Sequence, residues 1–135
     1  MHMNLLVTLD SNYIRPLKVM LYSLFINNPS GHFDVYLMHS SISDNDIKDL
    51  EGFVSNYRQN LFVIKIDNSY FQNAPVILHY TKEMYYRLLA YKFLPKKLDR
   101  ILYLDPDILV INPINELYET ELDGYLYAAA YHNVI

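Results

Sequence analysis

Ile101-Leu102-Tyr103-Leu104-Asp105-Pro106-Asp107-Ile108-Leu109-Val110 is the stretch on which the reading of the chain turns. Ile101 to Leu104 is continuously apolar in body, the pattern of a short strand buried on both faces, as in parallel sheets. It runs into two carboxylates spaced i, i+2. On an extended backbone such residues point to one side, roughly 6–7 Å apart at Cα. Pro106 restricts its own φ and biases Asp105 towards an extended conformation. Two carboxylates held this way can share a hard cation. Mg²⁺ and Mn²⁺ take oxygen ligands and leave room for substrate phosphates. Asp-Pro-Asp is equally ordinary turn chemistry. The apolar strand before it, and the expected place at the end of a sheet, favour the cation.

The rest of the chain alternates in kind. Leu5 to Leu9 reads as a strand leading into the polar loop Asp10-Ser11-Asn12. Pro16 suits a first helical turn, and Leu17, Met20, Leu21, Leu24 and Phe25 follow at helical spacing. Asn27-Asn28-Pro29-Ser30-Gly31 ends that helix. Phe33 to Met38 is a second strand. Ser43 with Asp46 resembles a capping box, and Ile47, Leu50, Phe53, Val54 and Tyr57 line one face of a second helix. Leu61 to Ile66 is a third strand. After a loop holding Pro75 and His79, Thr81 to Phe93 reads as a third helix closed by Leu94-Pro95. Beyond the acidic pair, Ile108 to Ile111 reads as extended, and Leu126 to Tyr131 as a last strand.

This order predicts an α/β domain with a mainly parallel sheet, Rossmann-like, flanked by helices. Residues 1–135 form one domain at most. Ligands of such sheets bind beyond the carboxyl ends of the strands. Two polar clusters fall there, Asp10-Ser11-Asn12 and Asp105-Pro106-Asp107.

Composition narrows the chemistry. The net charge is −4, from 11 Lys+Arg against 15 Asp+Glu, which argues against nucleic acid as a partner. The chain has 3 glycines and none lies in a Gly-x-Gly or P-loop pattern, so a glycine-rich phosphate cradle is not expected. A phosphorylated ligand would then need a cation to offset its charge. There are no cysteines, which removes thiolate ligands and nucleophiles. No stretch is long and apolar enough to cross a bilayer. No secretory leader pattern opens the chain, so the expected location is cytoplasmic, or peripheral to the inner face of the membrane. The ending, Ala128 to Ile135, has no clear stop, and the chain is read as a fragment truncated at its C-terminus.

The segment Ile101 to Val110 resembles the Asp-x-Asp segment of glycosyltransferase family 8, which has the GT-A fold. Val7-Thr8-Leu9-Asp10-Ser11-Asn12-Tyr13 resembles that family's first strand and uridine-binding loop. Tyr86-Arg87-Leu88 resembles its Tyr/Phe-x-Arg-Leu stretch. The likeness covers nearly the whole chain and includes bacterial lipopolysaccharide galactosyl- and glucosyltransferases. It implies transfer of glucose or galactose from a UDP-sugar to a glycan or lipid-linked acceptor, with retention and with Mn²⁺ or Mg²⁺. By the same likeness Asp105 and Asp107 bind the metal. The donor is met by Asp10 at the uracil, Thr8 through its main chain, Asn12 at the ribose or diphosphate, and Tyr13 by stacking. Arg87 reaches the sugar and the Asp105 carboxylate, and Asp105 touches the sugar too. His79 falls on the acceptor side. No residue is singled out as catalytic nucleophile or base.

Each of these has a plainer reading. Asp10 can serve as an Asx-turn or helix cap, His79 as a surface loop histidine, and Arg87 as a solvated helix residue. Its apolar neighbours argue that Arg87 is less easily solvated. The family's C-terminal His-x-x-Gly-x-x-Lys-Pro-Trp-like stretch, with its third metal ligand and diphosphate lysine, is absent here. His132 does not replace it. The fragment is therefore expected to bind donor weakly and turn over little. Membrane contact is expected only through the missing C-terminal parts. Exposed apolar surface leaves homo-oligomers open. Two other functions fit the same pattern less well. A sugar nucleotidyltransferase would carry a glycine-rich basic loop where Asp10-Ser11-Asn12-Tyr13 stands. A non-catalytic nucleotide-binding or interaction domain would use its carboxylates only as turn formers.

Overall fold

Parallel strands must be joined by crossovers, and the apolar runs of this chain are spaced to allow a helix in each. The computed structural model describes residues 1–67 and 86–130. Strand β1 (His2–Thr8) leads through a 3₁₀ turn (Ser11–Tyr13) into helix α1 (Ile14–Asn27). Strand β2 (His32–His39), helix α2 (Asp44–Asn56) and strand β3 (Asn60–Lys65) follow. After a 3₁₀ turn (Arg87–Leu89) come the short helix α3 (Ala90–Phe93), strand β4 (Leu102–Tyr103) and helix α4 (Asn115–Tyr118). The strands are parallel and lie in the order β3-β2-β1-β4.

Burial follows the two-residue period of the strands. Met3, Leu5, Val7 and Leu9 of the β1 segment pack with Val35 and Leu37 of β2 against Leu17, Met20, Leu21 and Leu24 of α1 and Leu50 and Val54 of α2. Each such side chain, fully buried, stabilises the fold by about 1.5–3 kcal/mol. Leu6, Tyr36 and Met38 form a second cluster with Ile66, Tyr86 and Ala90. The apolar residues expected on α1 and α2 are the ones that pack. Ser43 caps α2, its Oγ accepting from Asp46 N at 3.2 Å. Asp44 and Asp46 in the first turn favour the helix dipole.

Two expectations are corrected. Leu126 to Ala130, as far as the run is described, forms no strand: Tyr125, Leu126 and Tyr127 are exposed, with nothing among the described residues to bury them. Ile108 to Ile111, read as extended, pairs with no strand among the described residues; side chains of α1 bond the Val110 N–H and C=O. The Thr81–Phe93 helix, where described, is not one continuous α-helix. Tyr86 is helical and buried, but the chain tightens to 3₁₀ at Arg87–Leu89 before α3 begins. Its earlier part lies outside the described residues. Among the described residues no helix is long and apolar enough to cross a membrane.

Candidate functional site

The chain builds β1, β2 and β3 progressively outwards on one side, then returns to place β4 on the other side of β1. The topological switch point therefore lies between β1 and β4, where a crevice opens beyond the strand ends in sheets of this kind. Register fixes what stands there. Leu5 pairs with Leu102 and Leu6 with Tyr103, and Leu104 N donates to Leu6 O at 3.1 Å. Thr8 at the end of β1 and Asp105 after β4 thus reach the same edge. The two polar clusters of the sequence meet at the switch point.

The β1 side is a preformed loop. Asp10 N-caps the 3₁₀ turn, its Oδ1 accepting from Asn12 N at 2.8 Å. Asp10 does serve as a cap, and its second oxygen lies free of that bond. Leu9 N donates to Met38 O at 3.4 Å and Tyr13 N to Asp10 O at 3.2 Å. Asn12 and Tyr13 are exposed. Thr8 is buried, and its hydroxyl is 3.3 Å from the Tyr103 hydroxyl.

The β4 side is an arc pinned at both ends. Leu104 is held to β1, and Val110 is held to α1, where Ser23 Oγ accepts from Val110 N at 2.9 Å and Asn27 Nδ2 donates to Val110 O at 2.9 Å. Further on, Asn28 Oδ1 accepts from Ile114 N at 2.8 Å. Pro106 is buried while Asp105 and Asp107 are exposed. The proline wedges the arc inwards and leaves both carboxylates outwards. Among the described residues neither carboxylate forms an ion pair, and no group of three or more metal-ligating side chains occurs. Two oxygen donors at a solvent-facing turn fit a small divalent cation, which commonly takes one or two carboxylates and completes its shell with water and phosphate.

Arg87 is exposed rather than shielded by its apolar neighbours, because the 3₁₀ turn rotates it outwards together with Leu88. Its guanidinium lies over the Tyr103 ring, 5.4 Å from the centroid. Among the described residues it forms no ion pair with Asp105. The two meet at Tyr103 instead. Burial, above all, pushes the Tyr103 phenol up from its ordinary pKa. The Thr8 hydrogen bond and the Arg87 charge pull down, and the Asp105 charge and hydrogen bond push up. The structure thus gathers Thr8, Arg87 and Asp105 around Tyr103, with Asp10, Asn12 and Tyr13 in the loop that follows β1 at the same edge of the sheet. His79 lies outside the described residues, as does His132.

Sequence reasoning named neither Tyr103 nor the α1 residues that hold the arc. Ser23, Asn27 and Asn28 stood in the sequence as polar residues in the last turns of an apolar helix, a signal read only as a helix ending.

The description "Glycosyl transferase family 8" belongs to a family model that matches residues 4–134. The lipopolysaccharide 1,2-glucosyltransferase of Escherichia coli K12 is 26% identical over 122 residues, which cover 90% of this chain and 36% of that protein. The lipopolysaccharide 1,3-galactosyltransferase of Salmonella typhimurium is 25% identical over 116 residues, covering 86% of this chain and 34% of that one. The galactosyltransferase LgtC, solved in complex with donor and acceptor sugar analogues, matches with a TM-score of 0.79 at 25% identity, covering 89% of this chain and 43% of its own. This chain spans about a third of the length of the two curated relatives.

Proposed function

The chain belongs to glycosyl transferase family 8, and from that membership we propose that its protein transfers glucose or galactose from a UDP-sugar to a glycan or lipid-linked acceptor. The reading includes retention at the anomeric carbon and a cytoplasmic or inner-membrane-peripheral setting. One observation carries it: the Asp10 loop and the Asp105–Asp107 turn converge at the β1–β4 switch point.

In this reading Asp105 and Asp107 hold Mn²⁺ or Mg²⁺. A divalent cation there supplies Lewis-acid stabilisation of a departing diphosphate. The chain's own residues do the rest of the binding. Asp10 offers its uncommitted oxygen to a uracil N–H, and the Thr8 main chain borders the base. Exposed Tyr13 provides a stacking face, and Asn12 meets the ribose or diphosphate. Arg87 brings a fixed positive charge to the sugar side. With no glycine-rich loop after β1, phosphate charge falls to the cation to offset, which disfavours a sugar nucleotidyltransferase. His79 is proposed for the acceptor side. A chain covering about a third of its relatives' length is expected to bind donor weakly and turn over little by itself.

Calorimetric titration of UDP, with and without Mn²⁺, tests the reading on the wild type and on Asp105→Ala/Asp107→Ala. Binding that needs Mn²⁺ and disappears in the double variant supports it. Binding indifferent to Mn²⁺ and to the double variant would leave the carboxylates as turn formers and sink the metal site. If the folded chain binds nothing, the same titration on the full-length protein decides, and silence there refutes the transferase assignment.

A further inference from the structure

We propose that Tyr103 is a positioning residue for Arg87: its ring carries the guanidinium, and its hydroxyl, tied to Thr8, fixes the ring at the β1–β4 crevice beside the acidic turn. The proposal rests on the transferase reading for what Arg87 does, and on the coordinates for how Arg87 is held.

Among the described residues the Tyr103 ring is the contact that orients Arg87. Arg87 is exposed, in a three-residue 3₁₀ turn between buried Tyr86 and buried Ala90. A 3₁₀ turn is common at helix ends and as a connector. Here it turns Arg87 and Leu88 outwards between two buried residues. An unheld arginine side chain carries about 2 kcal/mol of rotamer entropy that a ligand would have to overcome. The Tyr103 face lies where it restrains that motion, with the cation 5.4 Å from the ring centroid and inside the range of a cation–π contact.

The ring is itself well placed to be a fixed platform. Its backbone is paired to β1 opposite Leu6, and the ring packs partly buried against the Leu6–Tyr36–Met38 cluster. The hydroxyl meets Thr8 Oγ1 across the two strands at 3.3 Å. A phenylalanine would supply the face without that tether. Tyr103 also stands two residues before Asp105, so the same strand end that orients Arg87 carries the first carboxylate of the turn. The aromatic ring presents the electron-rich face that a cation prefers. Cation on one side and carboxylate on the other thus share a single mount.

The test is a double-mutant cycle on the full-length protein, read by titration, in the presence of Mn²⁺, of whichever of UDP-glucose and UDP-galactose the wild type binds. The proteins are the wild type, Tyr103→Leu, Arg87→Gln and the combined variant. If Tyr103 acts through Arg87, each single change weakens binding by about five- to tenfold, and the combined variant is no weaker than Arg87→Gln alone to within about twofold. Affinity for UDP without the sugar stays within about twofold for Tyr103→Leu, an outcome that a general loss of structure would not give. Tyr103→Phe, which keeps the face, recovers most of the loss. Losses that multiply in the combined variant overturn the proposal, as does an equal loss for UDP and the UDP-sugar. Should Tyr103→Leu not fold, Tyr103→Phe replaces it in the cycle, with a loss of about two- to threefold that must vanish in the Arg87→Gln background. A folded full-length wild type that binds neither UDP-glucose nor UDP-galactose overturns the transferase reading, and the proposal falls with it. A wild type that binds, with Tyr103→Leu unchanged, overturns the proposal alone.

Discussion

Ser23→Ala tests whether α1 holds the acidic arc. Ser23 is 4% exposed. Its Oγ accepts from Val110 N at 2.9 Å and donates to Met20 O at 2.7 Å. Alanine removes the acceptor and leaves the Val110 N–H buried without it, a cost of about 1–3 kcal/mol. The Met20 carbonyl loses less, because the helix backbone gives it another donor. Alanine's higher helix propensity returns about 0.5 kcal/mol. The net loss is about 1–2 kcal/mol, which lowers Tm by roughly 3–10 °C in a domain of this size. Thermal unfolding followed by circular dichroism reads it. Ser55→Ala, at an exposed position of α2, is the control and stays within about 0.5 kcal/mol of wild type. A Ser23→Ala protein that melts within about 1 °C of wild type would show that water or a shifted backbone satisfies Val110. The arc would then be held without α1, and the account of how the carboxylates are aimed would fail.

Four other changes follow from the same coordinates. Asp10→Ser keeps a cap residue as good as aspartate, so Tm holds, while UDP affinity falls by about tenfold as one hydrogen bond to a charged acceptor is lost; unchanged affinity would remove Asp10 from the base site. His39 is buried, and its Nδ1 accepts from Ile42 N at 3.1 Å. Burial first, then Lys65, lowers its pKa, with Asp44 opposing. The unfolded chain therefore takes up that proton first as pH falls below about 6.5, and stability declines from there towards pH 5. His39→Asn flattens this slope in melts taken across that window, and an unaltered slope assigns it to other groups. Gly31→Ala places a methyl 2.8 Å from Phe33 Cε2 and, with Phe33 buried, lowers stability by about 1–3 kcal/mol in urea unfolding; a neutral result would show that the ring yields. Leu24→Ala, at a fully buried position, costs about 2–5 kcal/mol in the same assay, and a loss below 1 kcal/mol would mean the helix repacks over the gap.

Much of this was legible in the sequence because it depended on local pattern. The helical spacing of Leu17 to Phe25, the cap at Ser43 and the apolar run before Asp105 each name an element by a period or a single hydrogen bond. The strand positions also predicted that Asp10 and Asp105 would reach one edge of the sheet. Long-range bonds were not legible. Nothing in the neighbourhood of Ser23 announces Val110 as its partner, because that contact follows from how the chain returns past α1. Tyr103 passed as one apolar residue of a strand, although its ring and hydroxyl serve different partners. Leu126 to Tyr131 misled for a related reason. An apolar, aromatic-rich run has strand character, but it becomes a strand only where another strand or a core meets it.

The sheet is paired unevenly about its switch point. On one side β1 is bonded to β2 from His2↔His32 through Thr8↔Met38, while on the other it meets β4 only at Leu5↔Leu102 and Leu6↔Tyr103. Amide protons of the first ladder should exchange near the global unfolding rate, and those of β4 through smaller, local openings. The Asp10 loop therefore grows beside the more fully paired ladder, and the carboxylate arc beside the shorter one. A ligand that bridges the crevice would do part of its binding work by fastening β4 to β1. Its footprint would appear as slowed exchange at Leu102 to Leu104, while β1 and β2, already slow, would change little.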